Sequence, residues 1–127
     1  MPTARVLVVE HNDALCHLFY HSLLRSGFAT MSVSAGKQTP DLVKSFRPDI
    51  LLIDLDLPDV NGLDLIRSIK AQLGKQAPIV IAFSTHDRFY YHTAQELDYF
   101  FFKPVSVITL NDFVRRVSGR LAARHSS

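Results

Sequence analysis

The sequence predicts an α/β fold: a doubly wound, five-stranded parallel sheet with helices on both faces. Three observations predict it. Short apolar runs alternate with longer amphipathic segments along the chain, the order expected of βαβ units with right-handed crossovers. The runs Val6-Leu7-Val8-Val9, Ile50-Leu51-Leu52-Ile53, Ile79-Val80-Ile81-Ala82-Phe83 and Tyr99-Phe100-Phe101-Phe102 lack polar alternation, as strands buried on both faces do. Polar groups able to do chemistry follow these runs: Glu10-His11, Asp54, Ser84-Thr85 and Lys103-Pro104. Chance would scatter such groups over both strand ends, whereas open parallel sheets keep their chemistry at the carboxyl ends.

The elements follow in order. After the first strand, Asn12 or Asp13 is placed to cap a helix whose apolar stripe is Leu15, Leu18, Phe19 and Leu23, ended by Gly27. Ala29 to Ser34 reads as a short edge strand. Thr39-Pro40-Asp41 combines a cap, a proline at the first helical position and an acid in the first turn. Leu42, Val43 and Phe46 then face inward, and Pro48 stops this helix. The second buried strand ends on Asp54, and Asp59-Val60-Asn61-Gly62 is turn chemistry. Leu63, Ile66, Ile69 and Leu73 form the inner face of the next helix. A short helix is expected over Phe89 to Glu96, and a last helix turns Leu110, Phe113, Val114, Val117 and Leu121 inward. Arg115, Arg116, Arg120 and Arg124 lie on or near its other side.

Composition bounds the function. With 127 residues, 47% of them hydrophobic and 20% charged, the chain is expected to be one globular domain over 1–127. One cysteine, Cys16, excludes an intrachain disulfide and a cysteine metal cluster. No apolar run approaches the ~18 residues of a membrane span, and the first residues are too short for a signal segment, so a cytoplasmic protein is expected. A formal charge of +2 is too small to make nucleic acid the main partner.

The strand-end residues resemble a family. Val6-Leu7-Val8-Val9-Glu10-His11-Asn12 is similar to the opening of response-regulator receivers, the CheY-like domains of bacterial two-component systems, where an acidic pair closes the first strand. Pro48 to Gly62 resembles their phosphoacceptor segment, with Pro58 four and Gly62 eight residues after Asp54. Ser84 matches the Ser/Thr after the fourth strand, and Lys103-Pro104 the Lys-Pro after the fifth. The likeness runs from Arg5 to about Ala123. It implies a flavodoxin-like sheet in the order 2-1-3-4-5 and a function in phosphorelay signalling. Asp54 would then be the nucleophile that forms an acyl phosphate. Glu10, Asp54 and the backbone carbonyl of Asp56 would hold Mg²⁺. Lys103 would be the charge partner, Ser84 the switch hydroxyl, and Lys103-Pro104 a cis peptide. The implied partners are a histidine kinase or phosphotransfer protein, and a downstream protein or second copy bound through the fourth helix, fifth strand and fifth helix. Neither a membrane nor direct nucleic-acid contact is implied.

The departures are specific. The second acid of the pair, a direct metal ligand in the family, is His11. Imidazole suits transition metals better than Mg²⁺, and as imidazolium it would itself supply the cation, so Mg²⁺ is expected to bind weakly. Asp56 is an extra carboxylate able to compensate in part. The segment between Ser84 and Lys103 is roughly three residues shorter than is common. The family's switch aromatic corresponds to Phe100, which lacks a hydroxyl. Phe89, Tyr90, Tyr91 and Tyr99 to Phe102 concentrate seven aromatics. Adjacent Tyr90 and Tyr91 cannot both point inward on a helix, so an interface is expected there, beside Arg115 and Arg116.

Other readings of these residues stay open. Ser84 and Thr85 serve equally as caps. His17 and His21, four apart on a helix, lack a third ligand. Two further function classes are a pseudo-receiver, binding partners without phosphorylation because of His11, and a phosphatase. Asp54-Leu55-Asp56 resembles the Asp-x-Asp of haloacid-dehalogenase-like enzymes. That motif ends the first strand of its domain, whereas Asp54 ends the third, and the chain is read as a non-enzyme.

Overall fold

The computed structural model describes residues 3–86 and 96–126. Its elements are β1 (Arg5–Val9), α1 (Asp13–Arg25), β2 (Ala29–Val33), α2 (Thr39–Phe46), β3 (Ile50–Asp54), α3 (Gly62–Leu73), β4 (Ile79–Ser84), β5 (Tyr99–Phe102) and α4 (Val107–Ser126). The five strands form one parallel sheet in the order β2-β1-β3-β4-β5. The short helix expected from Phe89 falls almost wholly on residues outside those described, as do Tyr90 and Tyr91.

Strand alternation explains the two-sided core. Leu7, Val9, Leu51, Ile53, Val80 and Ala82 point to one face, where α2 and α3 supply Val43, Leu65, Ile66 and Ile69. Val6, Val8, Ile50, Leu52, Ile81 and Phe83 point to the other and meet Cys16, Phe19 and Leu23 of α1 and Leu110, Val114 and Val117 of α4. β1 and β3 lie inside the sheet, so their apolar residues are buried on both faces.

Three expectations are corrected. β5 is not buried on both faces: it is an edge strand, Tyr99, Phe100 and Phe101 are only partly covered, and Phe102 is half exposed. The inner stripe of α1 is Cys16, Phe19 and Leu23, and Leu18 faces outward. Residues at i, i+3 and i+7 share one side of a helix, and Leu18 falls off that line. Thr39 does not cap α2. A single 3-10 turn at Gly36–Gln38 precedes it, Gln38 takes the cap position, and Thr39 is buried. The Asp59 carboxylate holds that turn by accepting from the N–H of Gly36 at 3.0 Å and of Lys37 at 2.9 Å.

Two asparagines and one glycine shape the site loops. The Asn12 side chain accepts from Leu15 N–H and starts α1; Asn61 accepts from Asp64 N–H and starts α3. Gly62 lies against the loop after β3, where an added Cβ would come within 2.9 Å of Leu55 Cα. That close backbone approach is what the position eight residues beyond Asp54 requires.

Candidate functional site

The carboxyl ends of β1, β3, β4 and β5 converge on Asp54. Parallel pairing sets Val9 beside Ile53, and Asp54 beside Phe83, so each chain leaves the sheet on the same edge. Asp54 is fully buried. Its Oδ1 accepts from Lys103 Nζ at 2.7 Å and from Asp56 N–H at 2.8 Å. Its Oδ2 is in direct contact with His11 Nδ1. The Lys103–Pro104 peptide bond is cis, and Lys103 N–H donates to Ser84 C=O at 2.9 Å, which ties the lysine loop to the end of β4.

Glu10 is 1% exposed. One of its oxygens, Oε1, accepts from Asn12 N–H at 3.1 Å and lies 3.5 Å from His11 Nδ1. The other, Oε2, is buried without a hydrogen-bond partner. Burial, and secondarily the charge of Asp54, push the Glu10 carboxyl above its usual range despite the Asn12 bond. Burial also works against the Lys103 ammonium, but the hydrogen bond and charge of Asp54 outweigh it and raise the lysine above its ordinary value.

Asp56 is placed differently from the metal-side role expected of a spare carboxylate. It accepts from the Ser84 hydroxyl at 2.6 Å and from the N–H and hydroxyl of Thr85 at 2.9 and 3.1 Å, with Lys103 Nζ at 3.4 Å. Burial opposes its charge; the bonds from Ser84 and Thr85 prevail and hold its carboxyl below the usual range. The Ser84 hydroxyl is thus engaged by Asp56 rather than by Asp54. Phe100 packs on the core face shared with α2 and α3. Arg115 and Arg116 are exposed on α4, away from the strand-end cluster. Sequence reading missed the contact between Asp56 and Ser84, the last residue of β4. The two stand 28 residues apart, and only strand register brings them together.

One group among the described residues has the makings of a metal site: ligand atoms of Glu10, His11 and Asp54 all lie within 4.8 Å of one another. A cleft of about 370 Å³ opens beside them, walled by Leu15, Phe19, Phe83, Lys103 and Val105. The Mg²⁺ implied by the family resemblance fits this donor set only in part. Two carboxylates suit it, but the third donor is an imidazole nitrogen, and Mg²⁺ favours oxygen in near-octahedral array.

The likeness extends to known proteins. Over 77 residues the chain is 38% identical to the DNA-binding response regulator MtrA of Mycolicibacterium smegmatis, an alignment covering 61% of this chain and 33% of MtrA. The chain therefore spans about a third of that relative's length. A response-regulator signal receiver domain from Bermanella marisrubri superposes with a TM-score of 0.80 at 25% identity, covering 91% of this chain and 98% of that one. The response regulator TrrA of Thermotoga maritima, solved in complex with Mg²⁺-BeF, shares the fold with a TM-score of 0.77 at 18% identity, covering 90% and 98%. Residues 6–115 match the family described as the response regulator receiver domain. By that match over most of its length, and with the sheet order that the resemblance implied, this chain belongs to the response regulator receiver domains of two-component signalling.

Proposed function

We propose that residues 1–127 act as one cytoplasmic receiver module, switched by a phosphoryl group on Asp54, and signal without turnover of a substrate. The observation that carries this reading is the buried Asp54 carboxylate with Lys103 Nζ 2.7 Å from one oxygen. A carboxylate so placed is a nucleophile beside a fixed positive charge, and phosphoryl transfer depends chiefly on positioning and charge stabilisation.

The chain's own residues do the following. A carboxylate oxygen of Asp54 attacks phosphorus, the bond from phosphorus to the donor's leaving group breaks, and an acyl phosphate forms. Lys103 stays on Oδ1 and balances the added negative charge. His11 must yield its contact with Oδ2 before attack. The Ser84 hydroxyl, held by Asp56, must be released to donate to a phosphoryl oxygen, and the Thr85 loop moves with it because Asp56 holds both. Response regulators interact with histidine kinases and downstream effectors. Here the donor would be a histidine kinase or phosphotransfer protein. The partner face would be β5 and α4, with Phe102, Arg115 and Arg116 exposed on it; Tyr90 and Tyr91 belong to the same expectation.

Incubation with acetyl phosphate and a divalent ion is expected to add one phosphoryl group, read by intact mass, and Asp54→Asn to abolish the gain. No gain under any divalent ion would leave a phosphorylation-independent binding module.

A further inference from the structure

We propose that Glu10, His11 and Asp54 form a mixed nitrogen–oxygen site that takes a transition-series divalent cation in preference to Mg²⁺, with His11 as the ligand that sets the preference. The inference rests on the reading of this cleft as the receiver's reaction centre, but not on phosphorylation taking place.

Three observations carry it. The ligand atoms lie within 4.8 Å of one another, close enough for one ion to gather them. Glu10 Oε2 is buried without a partner. Leaving such an oxygen unsatisfied is costly, and a cation satisfies it. The donors also differ in kind. Lys103 and Asp56 N–H occupy Asp54 Oδ1, so the face of Asp54 turned to a cation is Oδ2, the oxygen that His11 Nδ1 touches. An ion bound to Oδ2 and Glu10 therefore meets the imidazole.

Chemistry decides between ions. Mg²⁺ prefers oxygen and gives up water reluctantly. Imidazole suits the later first-row ions such as Co²⁺, Ni²⁺ and Zn²⁺, for which a mixed nitrogen–oxygen site has higher affinity than for Mn²⁺. The His11 side chain is 39% exposed, so the site has an open side for entry and for water ligands. Asn12 fixes the geometry from behind: its N–H holds Glu10 Oε1 and its side chain caps α1. His17 and His21 offer a rival pair on α1, with ring centroids 4.1 Å apart. They belong to no three-residue ligand group among the described residues.

The test is calorimetric titration of the full chain with Mg²⁺, Mn²⁺ and Co²⁺. Wild type is expected to bind Co²⁺ and Mn²⁺ more tightly than Mg²⁺. His11→Asp should narrow the Co²⁺-to-Mg²⁺ affinity ratio by about tenfold or more. His11→Ala should weaken Co²⁺ without strengthening Mg²⁺. An unchanged ratio in His11→Asp overturns the proposal. Should that variant fail to fold by circular dichroism, ¹⁵N spectra of the wild-type imidazoles with Zn²⁺ decide instead. The His11 ring nitrogen should shift; a shift confined to His17 and His21 overturns the proposal. Intact mass after acetyl phosphate, run alongside, separates the two readings. Metal selectivity without phosphorylation removes only the phosphoacceptor role, and phosphorylation with an unchanged ratio removes only the selectivity.

Discussion

Asp59 shows how one side chain organises a loop that sequence patterning leaves blank. Its two oxygens accept from the consecutive N–H groups of Gly36 and Lys37, as an N-cap residue does at a helix start. Gly36 has to be glycine because an added Cβ would lie 2.3 Å from Val60 Cγ2. The Lys37 bond foremost, helped by that of Gly36 and the Lys37 charge, holds the Asp59 carboxyl below its ordinary 3.8 against the opposing effect of desolvation. A carboxyl lowered by folding stabilises the native state above its ordinary pKa, and that contribution fades as pH falls through the folded value. Asp59→Ala is expected to cost about 1 kcal/mol near neutral pH, the usual size of a lost cap. In urea melts the difference from wild type should shrink toward zero as the pH drops through the acid range. A difference independent of pH would mean that the carboxylate charge plays no part.

At the scale of elements, β5 and α4 carry the least expected result. Four aromatic residues in a row read as a buried strand, yet β5 lies at the sheet edge with nothing paired beyond it in the described sheet. Tyr99 and Phe101 stack edge-to-face on Phe113 of α4, with centroids 4.7 and 5.0 Å apart, while Phe102 is half exposed. A half-covered aromatic edge with Arg120 bonded to the Tyr99 hydroxyl at 3.1 Å, and with Arg115 and Arg116 exposed on the adjoining α4, has the makeup of an interface, where aromatics and arginine are enriched. Arg115→Glu combined with Arg116→Glu is expected to weaken self-association or partner binding measured by sedimentation. Association that is unchanged, or that maps to α1, would remove this face from consideration.

For the whole molecule, sheet order predicts an order of opening. β1 and β3 have neighbours on both sides and residues with 0% exposure from Val6 to Val9 and from Ile50 to Ile53. Their amides should exchange with deuterium only through global unfolding. β5, paired on one side and partly covered, should open locally and exchange sooner. Site chemistry then spans both regimes: Asp54 stands on a fully covered inner strand and Lys103 follows a partly covered edge strand. A receiver needs that division, with a fixed nucleophile and a neighbour able to move. Equal protection of β3 and β5 would contradict it.

The sequence by itself determined the fold class, the strands, a helix start at Asn12 or Asp13, the turn before the third helix, and the strand-end residues that gather around Asp54. These depend on local patterns: apolar runs, 3.6-residue spacing, capping side chains and chain order. Only the tertiary structure decided that Leu18 faces outward while Cys16 faces inward, that β5 is half bare, that Asp56 holds Ser84 and Thr85, and that His11 touches Asp54. Each of these depends on register between segments far apart in sequence. A strand end shows which residues reach the cleft, but not which oxygen of Asp54 each one meets. That allocation follows from packing, because the loops after β1, β3 and β5 approach one buried carboxylate: His11 takes Oδ2, while the Asp56 N–H and Lys103 share Oδ1.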